Sequence, residues 1–434
     1  MKRSKQPGNL TELIDQCLQG LADKKTNCLR DYEIRLLYEF NLVLGAFPNP
    51  MQLNNITIKP APKENYNIDE LCGEHEHLQR LNTIIALKEH MLQNNIPFNA
   101  GSGRACGSLI LYALGITEID PVRFNLSTDH FYASLYRGEP LQVWFRVPAA
   151  HHKKMITYTS NKYIPETAKE LLPPIDDLAT WLFCQSLHQV NNLVFVINKN
   201  LSTPLLLEEI PLDDQETFDL IASGNTAGIY ALNGRIKNNH IYTSELEARS
   251  KTFLVDRELI KEVLQKCKPA NFQELMTIIA LLHLVPISKG DYYLQQLTES
   301  KKDSAAVKHP HRAIENAFSD TYGIPLYREQ IFQLVNDIAG EKMRKFTEHN
   351  WKAFSTHFIK RKPWIFRRIR KKFIRHAYIK GYNIQSSYNM IDFIFDYTKH
   401  TTIKANTANQ ALLAYKMAYL KAHYPEFFQR HVEE

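Results

Sequence analysis

Residues 341–380 carry fourteen Lys or Arg against two acids, Glu341 and Glu348, a local balance of +12 in a chain whose net formal charge is +7. Aromatic residues are interleaved with them: Phe346, Trp351, Phe354, Phe358, Trp364, Phe366, Phe373 and Tyr378. Cations that neutralise phosphates release condensed counterions and give salt-sensitive, sequence-independent affinity, while aromatic faces stack on unpaired bases. The segment therefore predicts a nucleic-acid surface, with Arg344, Lys345, Lys360, Arg361, Lys362, Arg367, Arg368, Arg370, Lys371 and Lys372 as phosphate contacts. The competing reading is a solvated helical face whose aromatics point into a core.

A second candidate is the glycine-rich stretch Pro97–Ser108, which holds Gly101, Gly103, Arg104, Gly107 and Ser108. Glycines let backbone N–H groups approach a phosphate, and a helix start just beyond favours negative charge. A plain turn before a helix would look the same. Cys72, His75 and His77 lie close together, but no second ligand pair at finger-like spacing follows, so they read as solvated side chains. His151 and His152, ahead of Lys153 and Lys154, read as surface residues. No metal-ligand set is predicted, and no Walker A loop, G-x-S-x-G motif or kinase set is present.

The elements that must position these groups are mainly helical. Apolar residues at helical spacing predict amphipathic helices over residues 10–45 (Leu36, Leu37, Phe40, Val43, Leu44) and 68–95 (Leu81, Ile84, Ile85, Leu87, Met91). Pro48–Asn67 reads as a loop with one short strand around Ile56–Ile58. The glycine-rich stretch opens into a short helix, Leu109–Leu114. Leu141, Val143, Phe145 and Val147 alternate with Gln142, Trp144 and Arg146, the period of a strand with one buried face. Helices dominate from Asp213 onward.

With 434 residues, 44% of them hydrophobic, the chain can bury a large core and suggests two or three domains. Cys17, Cys28, Cys72, Cys106, Cys184 and Cys267 are scattered with no C-x-x-C pair, the usage of a reducing compartment, so a cytoplasmic location is expected. The basic start, Lys2, Arg3 and Lys5, runs into polar residues and does not read as a secretory signal. The longest apolar stretch, Met276–Ile287, is broken by His283 and too short for a bilayer, so no membrane partner is expected.

Longer strings resemble the bacterial DNA polymerase III alpha subunit, a C-family polymerase. Asn406–Phe428 is similar to the end of its fingers. Tyr112–Pro121 and Arg123–Leu126 resemble YALGITDLDPLRFNL almost residue by residue. Pro97–Ser108 is similar to PVGPGRGSAAGS, the phosphate-handling motif that opens the palm, with Gly101, Gly103, Gly107 and Ser108 matching and Arg104 displaced by two positions. Asp213–Asp214, Gly224–Tyr230, Lys268–Leu281, His309–Pro310 and Tyr322–Gln330 resemble successive fingers motifs. The family's NKSHA keeps its lysine as Lys404 and has Asn406 in place of the histidine; the arginine of RPGP becomes His283.

The resemblance implies an α+β chain: a nucleotidyltransferase-like palm over residues 1–205, then a mainly helical fingers domain over 206–434, with the thumb and the N-terminal phosphoesterase-like domain absent. It also implies where catalytic carboxylates belong. Carried forward without gaps, the two metal-binding aspartates of PDFDIDF fall on Leu141 and Val143, the string's last aspartate on Phe145, and the aspartate of DFLGL on Thr180. Nucleotidyl transfer needs divalent cations held by carboxylate oxygens. The expectation is therefore a degenerate, catalytically inactive relative with no cofactor. It would bind single-stranded or primer–template DNA, with Lys404 adding to the contact surface, alongside other replication or repair subunits. Two rivals remain at this point. One is an active polymerase with a rearranged Mg²⁺ site near Asp120 or Asp129; the other is a protein-interaction scaffold.

Overall fold

A computed structural model describes residues 10–24, 29–44, 51–53, 56–58, 76–100, 103–132, 141, 143–162, 170–172, 178–234, 256–282, 290–302, 311–349, 363–398 and 401–433. Helices dominate both halves. The first expected helix is two, Leu10–Asp23 and Leu29–Leu44, and the second is Glu76–Gln93. Strand is confined, among the described residues, to two antiparallel ladders: Met51–Leu53 with Ile56–Ile58, and Asn99–Ala100 with Phe145–Arg146. The α+β balance expected of the first half is thus reduced to short ladders on a helical body.

The strand expected over residues 141–147 explains why. Its alternation does bury one face, since Leu141, Val143, Phe145 and Val147 are all inside. Among the described residues of this stretch only Phe145 and Arg146 pair, however, and the Leu141 carbonyl accepts a hydrogen bond from Arg80 Nε. Burial by alternation is a side-chain property; a ladder also needs free backbone groups.

Three apolar cores organise the described residues. The first runs from Leu13 to Leu172 and packs the helices Leu10–Asp23, Leu29–Leu44, Glu76–Gln93 and Leu109–Ala113. The second gathers Phe183–Ile197, Phe218, Leu264, Met276 and the length of the Lys404–His423 helix, hereafter the closing helix. Ala313–Phe395 form the third, beneath the helix Pro363–Ile379, hereafter the basic helix. The closing helix is buried nearly all round, as a helix surrounded by neighbours must be. Its polar side chains stitch distant segments together: Asn409 exchanges hydrogen bonds with Asn99 (3.0 Å each), Lys416 pairs with Glu118 (2.7 Å) and Tyr415 Oη accepts from the Asp214 backbone N–H (2.9 Å). Among the described residues no helix is long and apolar enough to cross a membrane.

Candidate functional site

The glycine turn sits between the first core and the start of the closing helix. Gly103 has φ +76°, and a Cβ there would lie 2.5 Å from the Asn406 Cα, so only glycine fits. At Gly107 a Cβ would meet the Ser127 carbonyl at 2.3 Å. Both glycines therefore allow chain-on-chain packing. Gly101 lies outside the described residues.

The short helix that follows receives an internal anion. Glu39, 0% exposed, accepts from the backbone N–H groups of Leu109 (2.8 Å) and Ile110 (3.2 Å), and from the hydroxyls of Ser108 (2.9 Å) and Tyr132 (2.9 Å). Arg35, one turn earlier on the Leu29–Leu44 helix, pairs with Glu39 through Nε at 2.8 Å. Its Nη2 donates to the carbonyls of Gly107 (2.9 Å) and Leu126 (2.7 Å). A carboxylate thus takes the donors that the sequence reading assigned to a phosphate, which corrects the role expected of Ser108. Burial first, then the Glu39 charge, pushes the Tyr132 hydroxyl well above the ordinary phenol range. Sequence reasoning missed Arg35 and Glu39, although a carboxylate one turn past Leu36 on an apolar stripe is itself a signal.

Of the positions where the resemblance would set aspartates, those on the 141–147 stretch are apolar and enclosed. Leu141 is 1% exposed and Val143 0%, and with Phe145 they belong to the first core. Thr180 is half-buried near the start of the Leu178–Asn198 helix. Three residues further on, Phe183 carries the Arg146 guanidinium 4.9 Å from its ring centroid. A cation here has the wrong sign to help gather metal ions. Asp120 is engaged in its own turn: Oδ1 accepts from the N–H groups of Val122 and Arg123, and Oδ2 from Tyr32 Oη at 2.5 Å. The side chain of Asp129 lies outside the described residues, as does His283.

Lys404 is corrected as an outward DNA contact. It is buried at the first turn of the closing helix, with Nζ 5.9 Å from the Tyr327 ring centroid. A parallel bridge between Tyr327 and Thr402 sets this junction, and the Lys404 N–H donates to Glu329 Oε1 at 3.1 Å. Burial pulls the Lys404 ammonium below its usual range, with Asp320 and Glu329 opposing. Burial likewise pushes the Glu329 carboxyl up to about 7, outweighing its backbone hydrogen bonds and the neighbouring charges of Arg328 and Lys404. Arg328, which the sequence reading did not single out, is lowered by burial, opposed by Glu329 and reinforced by the charge of Arg104. Arg104 itself is exposed. Two matched segments 300 positions apart are therefore brought to one junction.

On the basic segment the cations divide. Arg344 is paired with Glu348, Lys345 with Glu341 (2.8 Å) and Arg370 with Asp392 (2.6 Å). Arg370 also lies over Tyr388, and Lys372 Nζ sits 3.8 Å from the Phe346 ring centroid. These four residues thus have partners within the third core's helices, although the Lys345–Glu341 pair stays exposed at the surface, 66% and 65%. Arg367, Arg368 and Lys371 are exposed, as is Arg375, which the sequence reading left out of the set. Lys360, Arg361 and Lys362 lie outside the described residues. His151 and His152, expected at the surface, are half-buried; burial, then His188 and Lys154, lowers His151.

Comparison with known proteins matches both halves of the chain to one family. Residues 50–172 match the family model described as bacterial DNA polymerase III alpha NTPase domain, and residues 186–380 match the bacterial DNA polymerase III alpha subunit finger domain. The DNA polymerase III subunit alpha of Staphylococcus epidermidis is 24% identical over 427 residues, covering 91% of this chain and 37% of that protein. That of Staphylococcus aureus strain Mu50 is 24% identical over 252 residues, 58% of this chain and 21% of the relative. The chain thus spans well under half the length of these curated relatives. Both domain models fall in the chain order that the motifs require, and the chain belongs to the bacterial DNA polymerase III alpha subunit family.

Proposed function

We propose that this chain is a non-catalytic member of its family that binds DNA in bacterial replication or repair, using the exposed cations of the basic helix. The observation that carries the first half of this reading is the burial of Leu141, Val143 and Phe145 in an apolar core where the family's aspartates would stand. Hard divalent cations need oxygen ligands, and hydrocarbon side chains have none to give. The Glu39 carboxylate beside the glycine turn supports the same view, because an incoming phosphate would have to displace a buried ion pair and four donors. On this reading the turn is a joint between the palm-like part and the closing helix.

Primer extension tests it directly. With a labelled primer–template, all four deoxynucleotides and either Mg²⁺ or Mn²⁺, no incorporation above a protein-free control is expected. Incorporation that disappears in Asp120→Asn or Asp129→Asn would establish a rearranged metal site and overturn the proposal. DNA affinity that does not change with salt would favour a protein-interaction scaffold instead.

A further inference from the structure

The basic helix presents two faces of different chemistry. Ile369, Phe373 and Ala377 point into the third core, packed with Ile338, Met343 and Ile391. On the other side, Trp364, Arg367, Arg368, Lys371, Arg375 and Tyr378 are all exposed, at helical offsets of 0, 3, 4, 7, 11 and 14. At about 100° per residue those offsets fall within a single stripe roughly 100° wide. The two aromatics end the stripe, with Trp364 60% and Tyr378 63% exposed. Between them stand four cations, and among the described residues no carboxylate pairs with any of the four: Glu341, Glu348 and Asp392 are held by Lys345, Arg344 and Arg370.

We propose that this outer stripe is a docking track for single-stranded DNA, with a base stacked on Trp364 at one end, a base stacked on Tyr378 at the other, and the intervening phosphates on Arg367, Arg368, Lys371 and Arg375. The inference rests on the DNA-binding reading above and adds which form of DNA is bound and how. Fourteen residues at 1.5 Å rise make the track about 21 Å long, enough to span several nucleotides of an extended strand. Exposed large rings are costly to leave in water, and on a phosphate-binding face they have a specific use. In a duplex every base face is already covered, so the rings would gain nothing; an unpaired strand offers them π surfaces. The acid-free composition of the helix favours an anionic polymer over an acidic peptide that would need hydrogen-bond complementarity along its backbone.

Fluorescence anisotropy with one labelled oligonucleotide, presented single-stranded and as its duplex, tests the proposal across a salt series. The single strand is expected to bind more tightly, with a slope of log affinity against log salt near −3 for four contacts. Trp364→Ala and Tyr378→Ala are each expected to weaken single-strand binding by about five- to a hundred-fold while leaving that slope unchanged. Arg368→Ala with Lys371→Ala should make the slope shallower by about 1.4. All four side chains are exposed, so these variants should keep the parent's thermal midpoint. If the two aromatic variants bind like the parent, or the duplex binds as well as the single strand, the stacking track is wrong and general DNA binding stands. No binding of any DNA by the parent at low salt would remove both.

Discussion

Glu39 does for its helix start what a bound phosphate does elsewhere: it brings negative charge to converging N–H groups and hydroxyls. Because it is fully enclosed, its loss would leave Arg35 Nε without its carboxylate and the buried donors of Ser108, Leu109, Ile110 and Tyr132 short of an acceptor. Breaking a buried pair from one side costs about 3–5 kcal/mol, so Glu39→Ala is expected to lower unfolding free energy by that amount in urea, and Glu39→Gln by less. A loss below about 1 kcal/mol would mean the pair is dispensable to the fold. Glu329 makes the opposite kind of statement. Its carboxyl is raised from 4.5 to about 7 by burial, so between those values the folded chain holds a proton that the unfolded chain has released. Stability from this group is therefore lost as pH rises through the window. The stability of Glu329→Gln relative to the parent should climb from pH 4.5 to 7 and level off above; a pH-independent difference in urea titrations would show an ordinary carboxyl.

At the scale of elements, helices were legible because their signal is local: the spacing of Leu36, Leu37, Phe40 and Val43 buried the stripe it implied. The strand over 141–147 was legible only in its side chains. Its hydrogen bonding depended on Arg80, some sixty residues away, and no periodicity reports that. The glycine turn shows the same division. Two glycines marked a tight place, but the identity of what presses on them, Asn406 and the Ser127 carbonyl, comes from the fold. The charge of the basic segment could be counted in the sequence; which cations face outward could not. Asp392, twenty-two positions beyond Arg370, neutralises it, and an aromatic ring at Phe346 holds Lys372, so among the described residues of the basic helix the remaining exposed cations, Arg367, Arg368, Lys371 and Arg375, share one face.

At the scale of the molecule, the third core is separate from the other two, and the basic helix belongs wholly to it. One described link to the rest runs through the Arg328–Ala339 helix: the Tyr327–Thr402 bridge just before it meets the start of the closing helix, while Ile331, Leu334, Val335 and Ile338 face the third core. A body built this way can lose one core without the others, since local unfolding follows cooperative units rather than the whole chain. Phe373, 0% exposed at the centre of the basic helix's inner face, is the residue to test. Phe373→Ala should cost about 3–5 kcal/mol, the range for emptying a buried aromatic site. By hydrogen exchange, the added opening should be confined to residues 363–398 and the neighbouring helices Arg312–Phe318, Arg328–Ala339 and Glu341–His349, while amides of the closing helix exchange at the parent rate. Faster exchange along the closing helix as well would make the second and third cores one cooperative unit. In that case any strand held on the basic helix would be coupled to the glycine turn, because Asn406, in the closing helix's first turn, lies against Gly103.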